Sequence, residues 1–319
     1  MTRRRPPSKL GRMAKDNKPA REQPRRYALN GAALEAPPLP GGLYLVATPI
    51  GNLRDVSLRA LETLAAADVI ACEDSRVTRK LTEHYAIATS LTPYHEHNAA
   101  EARPKLLARL AEGHTVALVS DAGTPLISDP GYKLVRAASE AGHAVNAVPG
   151  ASAVLTALAS AALPTDRFFF EGFLPPKQAA RQKRIAQLAA IPATLVLFES
   201  GPRVAAALAD LTAGLGPRPA AICRELTKLH EEIRRNDLAS LARHYAEGGE
   251  TRGEIVIVVA PPADEAGSAG DVDDLLRNAL DRVSVKDAVG EVALATGRPR
   301  REVYQRALAL SKDNGDGAA

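Results

Sequence analysis

The stretch of the sequence best suited to chemistry is SDAGTPLISDPG, residues 120–131. It follows the apolar run TVALV, typical of a buried strand, and precedes a segment at 132–141 with helical spacing. Connections between such elements usually need only a few residues. This one contains two aspartates, two glycines and two prolines, and no lysine or arginine. It predicts either a stiff, acidic ligand-binding loop or a long helix cap in which Ser128 or Asp129 is the capping residue.

Three other apolar runs end in small, polar or Gly/Pro-rich turns. The turns are TPIGNLRD (48–55) after LYLVA, EDSR (73–76) after DVIAC, and PGASA (149–153) after AVNAV. Open parallel sheets bind ligands beyond the carboxyl ends of their strands. Together with residues 120–131, these turns predict one ligand crevice.

The composition of the four turns favours a cationic, adenosine-containing ligand. The turns offer carboxylates and carbonyls rather than lysines, and TPIGNL lacks the Gly-x-Gly-x-x-Gly pattern of a pyrophosphate cradle. S-adenosyl-L-methionine, with its sulfonium and ribose hydroxyls, meets this description. A nicotinamide-dependent oxidoreductase is an alternative, since Glu73 lies 22 residues after Gly51, but the glycine fingerprint is absent.

The elements that must position these turns indicate an α/β protein of two domains. In the first half, apolar strands alternate with helices, which predicts a largely parallel sheet covered on both faces. Composition shifts at 163–176, which holds four of the five phenylalanines. Further strands at 194–198, 220–223 and 254–259 predict a second α/β domain. The expected organisation is a disordered basic tail and linker (1–42), an N-terminal domain (43–163), a C-terminal domain (164–262), and a linker with a helical C-terminal element (263–319).

Charge is distributed unevenly along the 319 residues, whose formal net charge is +4. Residues 1–26 contain ten Lys or Arg against two acidic residues, so the remainder is slightly acidic. The tail is Pro-rich and poor in apolar residues, which predicts disorder; it either contacts a polyanion or is a solvated extension. No stretch reaches the roughly 20 apolar residues of a membrane span. The two cysteines fit no metal or redox spacing and indicate a reducing, cytoplasmic environment.

The C-terminal stretch at 287–310 predicts two amphipathic helices around Gly297 and Pro299, the spacing of a small helix-turn-helix. The basic residues in and beside it are suited to nucleic acid: Lys286, Arg298, Arg300, Arg301 and Arg306. The alternative is a helical element for dimerisation or capping.

Eight motifs in fixed order resemble the ribosomal RNA 2′-O-methyltransferases of the tetrapyrrole methylase family. They are LYLVATPIGNLRD, CEDSRVTRKL, YHEHN, VSDAGTPLISDPGY, VPGASA, ALPTDRFFFEGFLP, RELTKLHEE and GEIVIVV. The resemblance covers residues 43–260 and the helical end. It implies a two-domain tetrapyrrole-methylase-like fold that holds S-adenosylmethionine in the interdomain cleft, and a cytoplasmic homodimer. The implied reaction is 2′-O-methylation of a cytidine in the 16S rRNA of the small ribosomal subunit.

The resemblance also implies which residues contact the donor. In the first domain they are Pro49, Gly51, Asp121, Gly123, Thr124, Pro125, Ser152 and Ala153; in the second they are Phe198, Glu199, Arg224 and Glu225. Two departures bear on the second domain: FESGPR replaces an Ala-Pro-His-Arg-like run, and Ala162 stands where glycine is usual.

Methyl transfer from a sulfonium needs positioning and a base for the 2′-hydroxyl, but no metal. The candidates for this chemistry are Asp74, His95 and Lys228, with Glu73, Glu96, His97, Asn98 and Glu225 nearby in sequence. For Asp74 the alternative is a carboxylate paired with Arg76, and for His95 a polar turn. The residues expected to contact RNA are Arg76, Lys177, Arg181, Lys183 and Arg184. A solvated helix face is the alternative for those at 177–184.

Two other functions agree with the same residues. Methylation of a tetrapyrrole carbon is the nearest enzymatic alternative, and the basic segment at 177–184 argues against it. A ribosome-assembly factor that binds donor or RNA without turnover is the non-catalytic alternative. A donor titration together with a methylation assay distinguishes them.

Overall fold

A computed structural model describes residues 25–248, 251–262, 269–296 and 298–313. The chain divides into two compact units after Thr156. The division falls inside a helix, Ala153–Ala161, a few residues before the boundary expected at 163–164. The predicted disorder of the basic tail lies outside the described residues as far as residue 24.

The first unit is built on a five-stranded parallel sheet with helices between its strands. In chain order its elements are β1 (Arg26–Leu29), β2 (Ala32–Glu35), β3 (Gly42–Val46), α1 (Leu58–Ala66), β4 (Val69–Cys72), α2 (Ser75–His84), β5 (Leu91–Pro93), α3 (Ala99–Ala111), β6 (Thr115–Val119), α4 (Tyr132–Glu140), β7 (Val145–Val148) and α5 (Ala153–Ala161). The sheet order is β5-β4-β6-β3-β7. The central strands β4 and β6 are buried along their whole length, because helices cover both faces of the sheet. The predicted parallel sheet is confirmed.

Part of the segment expected as disordered tail and linker (1–42) is ordered, since β1 and β2 form an antiparallel hairpin. Asn30 and Gly31 turn the chain with positive φ, the conformation that a tight two-residue hairpin requires. Tyr27 is buried in the core beneath α1, and the amide of Ala28 donates to the carbonyl of Tyr85. The Tyr27 side chain thus anchors the hairpin to the helical layer of the first sheet.

The second unit has a mixed five-stranded sheet. Its elements are β8 (Phe168–Phe173), α6 (Gln178–Leu188), β9 (Thr194–Ser200), α7 (Gly201–Leu215), β10 (Pro219–Arg224), β11 (Glu232–Asp237), α8 (Leu238–Glu247) and β12 (Glu254–Val259). The sheet order is β11-β10-β12-β9-β8, and only β8 and β9 are parallel. The second α/β domain is thus present, but its sheet is mainly antiparallel.

The C-terminal element consists of α9 (Ala269–Leu280), α10 (Val285–Thr296) and α11 (Arg300–Asp313). The predicted pair of helices corresponds to α10 and α11, and α9 precedes them. The three helices close around their own apolar core, which includes Leu276, Val292 and Val303. Arg306 joins α11 to α9 through an ion pair of 2.5 Å with Asp273.

Within the described ranges, no helix is both long and apolar enough to cross a bilayer.

Candidate active site

The turns after β3 and β6 are joined by a two-way backbone bridge. The amide of Thr48 donates to the carbonyl of Gly123 at 2.9 Å, and the amide of Gly123 donates to the carbonyl of Thr48 at 3.0 Å. The hydroxyl of Thr124 donates to the carbonyl of Ala151 at 3.4 Å, which adds the turn after β7. Three of the four predicted turns are thereby held together at one edge of the parallel sheet.

Two glycines allow these turns to approach one another. Gly123 has φ +75, and a Cβ there would lie 3.3 Å from Cγ2 of Ile50. A Cβ on Gly150 would lie 3.0 Å from Cβ of Ala47. Glycine at both positions keeps the backbone of this edge open to a ligand.

The loop at 120–131 is strained rather than a helix cap. Leu126 and Ser128 have positive φ angles of 77 and 66, which non-glycine residues adopt only when their surroundings enforce it. The residue that caps α4 is Gly131, and no side chain caps this helix. The alternative of Ser128 or Asp129 as the capping residue is therefore wrong, since the loop is shaped by packing instead.

Asp121 connects the loop to the turn after β4. Its Oδ1 accepts a hydrogen bond of 3.0 Å from the backbone amide of Asp74. The Asp121 side chain is otherwise exposed to solvent at the strand ends. A carboxylate is thus fixed by one hydrogen bond, with acceptor capacity left for a ligand.

Asp74 caps helix α2 and is committed to Arg76. Its Oδ1 accepts from the amide of Arg76 at 2.8 Å, and its Oδ2 pairs with the Arg76 guanidinium at 2.6 Å. These contacts with Arg76 lower the pKa of Asp74 to about 2. A carboxylate with so low a pKa is a weak base near neutrality, so the structure favours the alternative in which Asp74 pairs with Arg76.

A cavity of about 470 Å³ lies beside the loop. Its polar lining comprises the carboxylates of Glu73, Glu96 and Asp129 and the imidazoles of His95 and His97. Among the residues that the structure describes, no lysine or arginine lines it. Four loop residues form part of its wall: Leu126, Ser128, Asp129 and Pro130. The same loop therefore serves both the predicted donor site and this cavity.

Two carboxylates of the cavity hold protons more tightly than usual. Burial raises the pKa of Glu73, and the neighbouring carboxylates of Asp121, Asp129 and Glu96 raise it further. Burial also raises the pKa of Asp129, although a hydrogen bond from Ser120 opposes it. A carboxylate with a raised pKa is better suited than Asp74 to accept a proton near neutral pH.

His95 presents a ring nitrogen without a partner. Within the described part of the chain, its Nδ1 is buried and makes no hydrogen bond. The backbone around it is fixed, because the amide of His95 donates to the side chain of Asn98 at 2.9 Å. The ring lies 6.0 Å from that of His97. This arrangement leaves one imidazole nitrogen for a ligand in the cavity.

In the second unit, Glu199 carries an acceptor atom without a partner. Its Oε1 accepts from the amide of Ser200 at 2.8 Å and pairs with Arg203 at 3.2 Å. Its Oε2 is buried and makes no hydrogen bond among the described residues. Buried acceptors are nearly always paired, so this atom is suited to a ligand's ammonium or amino group. Phe198 beside it packs edge-on against Phe170 and Phe173.

The end of β10 is organised by Glu225 and Lys228. The Nζ of Lys228 contacts carboxylate oxygens of Glu225 and Glu254, each at 2.8 Å. Burial lowers the pKa of Lys228, but these two carboxylates outweigh that effect and raise it. The structure therefore argues against Lys228 as a base. Arg224 is likewise paired, with Glu232 at 3.2 Å.

The basic segment at 177–184 divides into buried and exposed residues. Arg181 is buried and bonds to Asp210 at 2.6 Å, so its expected RNA contact is wrong because its guanidinium is consumed inside the unit. Arg184 is half-buried and pairs with Glu171. Lys177, the N-cap residue of α6, and Lys183, within the helix, are both exposed. Arg76 is also exposed, but its guanidinium is held by Asp74.

The functional assignments of Pro49, Gly51, Pro125, Ser152 and Ala153 remain predictions. The sequence indicates Glu73 only as a neighbour of the candidate bases, and Asp129 only as a possible helix cap. Their acidic neighbours lie on separate turns, so only the fold shows that their charges interact. The contact between Asp74 and Arg76, by contrast, can be predicted from the sequence, because the two residues lie only two positions apart in EDSR.

Comparison with known proteins identifies the class that this fold defines. Residues 42–242 match the family model of tetrapyrrole (corrin/porphyrin) methylases, and residues 266–311 match the RsmI C-terminal HTH domain. The chain belongs to the tetrapyrrole methylase family. The expected family, fold class, methyltransferase chemistry and S-adenosylmethionine donor are confirmed.

The similar curated proteins share one name. A protein of Mesorhizobium japonicum called ribosomal RNA small subunit methyltransferase I is 50% identical and aligns over 89% of this chain and 97% of its own length. Proteins of the same name from Erythrobacter litoralis and Escherichia coli O157:H7 are 50% and 43% identical, over 86% and 84% of this chain and 97% and 95% of their own lengths.

Solved structures agree on the fold alone. Diphthine synthase has a TM-score of 0.54 at 19% identity, covering 68% of this chain and 89% of that protein. A conserved hypothetical protein from Aeropyrum pernix K1 has a TM-score of 0.55 at 19% identity, covering 86% and 98%.

Proposed function

We propose that the protein transfers a methyl group from S-adenosylmethionine to the ribose 2′-oxygen of a cytidine in the 16S rRNA of the small ribosomal subunit. The observation that carries the proposal is the cavity in which the loop at 120–131 meets Glu73 and His95. The name shared by the relatives supports the RNA substrate. A cytoplasmic homodimer is part of the proposal, by the same resemblance.

The residues at the sheet edge fit the donor. Asp121 offers carboxylate oxygens to hydroxyl or ammonium groups, and the turns at Gly51, Gly123 and Gly150 let the backbone approach the adenosine. S-adenosylmethionine supplies an electrophilic methyl on its sulfonium when bound.

The residues of the cavity fit the acceptor. A 2′-hydroxyl is a poor nucleophile, and its attack is assisted by a base within hydrogen-bond reach. Glu73 and His95 are the two residues we propose for this base, and one of them takes the single hydroxyl proton as the oxygen attacks the methyl carbon. The oxygen–carbon bond forms while the sulfur–carbon bond breaks, and S-adenosylhomocysteine leaves.

The carboxylates of the cavity also fit a cytosine. The 4-amino group of cytosine is a hydrogen-bond donor that Glu or Asp accepts. Glu96 and Asp129 are suited to this contact, since both line the cavity. A phosphate is disfavoured in the same place, because no lysine or arginine is among the described residues that line the cavity. RNA phosphates would instead meet exposed cations such as Lys177 and Lys183.

The proposal is tested by incubating the protein with radiolabelled S-adenosylmethionine and, in parallel reactions, either small subunits from cells that lack it or a tetrapyrrole. Label on one cytidine 2′-oxygen supports the proposal. Label on a tetrapyrrole but not on RNA contradicts it, and donor binding without any transfer favours an assembly factor.

A further inference from the structure

The C-terminal helices carry a cationic groove that is separate from the active-site cavity. A depression of about 490 Å³ lies against α10 and the start of α11. Lys286, Arg300, Arg301 and Tyr304 line it together with two acidic residues. All four side chains are exposed. Every cation and the aromatic ring are therefore open to a partner from solvent.

The three cations, Lys286, Arg300 and Arg301, form no ion pair within the described part of the chain. The two acidic residues of the groove are engaged elsewhere: Asp287 accepts from the Ser284 hydroxyl at 2.6 Å, and Glu291 pairs with Arg282 at 3.2 Å. Three cations against two carboxylates leave the lining with one excess positive charge, which is suited to an anion.

The same residues are not needed to hold the element together. Its core is apolar and comes from the inner faces of α9, α10 and α11. Arg306, the basic residue nearest to them on α11, is used for the ion pair with Asp273. Arg306 thus has a structural role, whereas the three cations of the groove face solvent.

The position of the groove matches how two-helix motifs bind nucleic acid. In a helix-turn-helix, the first residues of the second helix contact the nucleic acid. Arg300, Arg301 and Tyr304 occupy the first five residues of α11, and Gly290 on α10 leaves room for the Arg300 guanidinium, which would lie 3.0 Å from a Cβ there. The exposed tyrosine adds a surface on which an unpaired base can stack.

We infer that this groove is a second RNA-binding site, in which Lys286, Arg300 and Arg301 contact phosphates and Tyr304 stacks on an unpaired base. RNA is recognised mainly through single-stranded segments and shape, because its duplex major groove is too narrow for side chains. The groove therefore binds single-stranded rRNA through residues other than those that line the active-site cavity. This inference rests on the proposed function for the identity of the RNA, but not for the binding itself.

The test compares Arg301→Glu with Arg277→Glu in the full chain. Both changes reverse one charge on the C-terminal element, and Arg277 lies on α9 outside the groove. Affinity for a fluorescent 20-nucleotide single-stranded RNA is measured by anisotropy across a salt series. Arg301→Glu is expected to weaken binding at least tenfold and to reduce the salt slope by about 1 to 2, with Arg277→Glu within twofold of the unmodified protein.

Further variants separate the remaining explanations. Lys286→Ala and Tyr304→Ala should each weaken the same binding about threefold or more, with melting temperatures unchanged. Equal losses in Arg301→Glu and Arg277→Glu would overturn the inference in favour of general electrostatics. A change in sedimentation instead of RNA affinity would overturn it in favour of contact with a second copy.

Methylation kinetics distinguish this inference from the proposed function. Where the unmodified protein methylates small subunits, Arg301→Glu should raise KM for the subunit and leave kcat unchanged. Where it methylates nothing but binds RNA through Arg301, the proposed function fails and the RNA site stands. Unchanged KM and unchanged RNA affinity in Arg301→Glu would reject the site.

Discussion

The carboxylate of Asp121 accepts a hydrogen bond of 3.0 Å from the backbone amide of Asp74. This contact joins the loop after β6 to the turn that carries Glu73, so the predicted donor site and the cavity share one framework. A change at Asp121 should consequently act on both.

Asp121→Ala should weaken S-adenosylmethionine binding at least tenfold, equivalent to about 1.4 kcal/mol. The change removes both the acceptor offered to the donor and the restraint on the Asp74 amide. Isothermal titration calorimetry measures the effect, with Asp166→Ala, an exposed aspartate of the second unit, as the control. Equal donor affinities in the two variants would contradict the donor role of the loop.

Gly123→Ala should weaken donor binding, whereas Gly142→Ala should not. Both glycines have φ near +75 to +78, so alanine costs each about 1 kcal/mol of stability. Only at Gly123 does the added Cβ meet a neighbour, Cγ2 of Ile50 at 3.3 Å, beside the bridge to Thr48. Thermal melts should show similar losses of stability in the two variants, whereas calorimetry should show weaker donor binding only in Gly123→Ala. Matching donor affinities would show that the bridge does not shape the site.

Glu73→Gln should lower kcat and raise stability at neutral pH. The pKa of Glu73 is raised above its ordinary value of 4.5, so folding favours its protonated form. That contribution to stability is present below pH 4.5 and is lost as pH rises through the raised pKa. The neutral glutamine avoids the loss, so its melting temperature should exceed that of the unmodified protein at pH 8 but not at pH 4.

Glu83→Gln, on the exposed face of α2, is the control for Glu73. The unmodified protein should show a rise of kcat with pH as Glu73 ionises, and Glu73→Gln should lose that limb along with roughly 10²-fold or more of kcat. A retained limb would contradict Glu73 as the base.

Arg181→Ala should destabilise the second unit without changing RNA affinity. It leaves the buried carboxylate of Asp210 without its guanidinium, which typically costs about 3 to 5 kcal/mol. Lys183→Ala, on the exposed face of the same helix, should change RNA affinity but not stability. Denaturant unfolding measures the stability of each variant, and fluorescence anisotropy measures its RNA affinity. A stable Arg181→Ala protein that binds RNA poorly would restore the original expectation for this arginine.

The pH dependence of that pair has the opposite sign to that of Glu73. Burial raises the pKa of Asp210, but hydrogen bonds from Gln182, Arg181 and Gln178 outweigh burial and lower it. Its contribution to stability is present above the ordinary value of 3.8 and is lost as pH falls below it. Acid unfolding of the unmodified protein should therefore be steeper than that of Asp210→Asn.

The parallel sheet and its strand-end turns could be predicted because each buried strand is a continuous apolar run. The hairpin at 26–35 was missed because the basic residues before it dominated the composition, although its Asn30-Gly31 turn is a hairpin pattern. The antiparallel second sheet could not be deduced from apolar runs, since these do not encode strand direction. Burial of Arg181 likewise depends on Asp210 in another helix, which spacing within one segment does not indicate.

The most direct test of the central claim is methyl transfer to small subunits lacking the modification, followed by mapping of the labelled nucleotide. The account predicts label on a single cytidine 2′-oxygen, loss of label with Asp121→Ala, and retention with Asp166→Ala. Label on a base or on several nucleotides, or donor binding with no transfer to RNA, would contradict it.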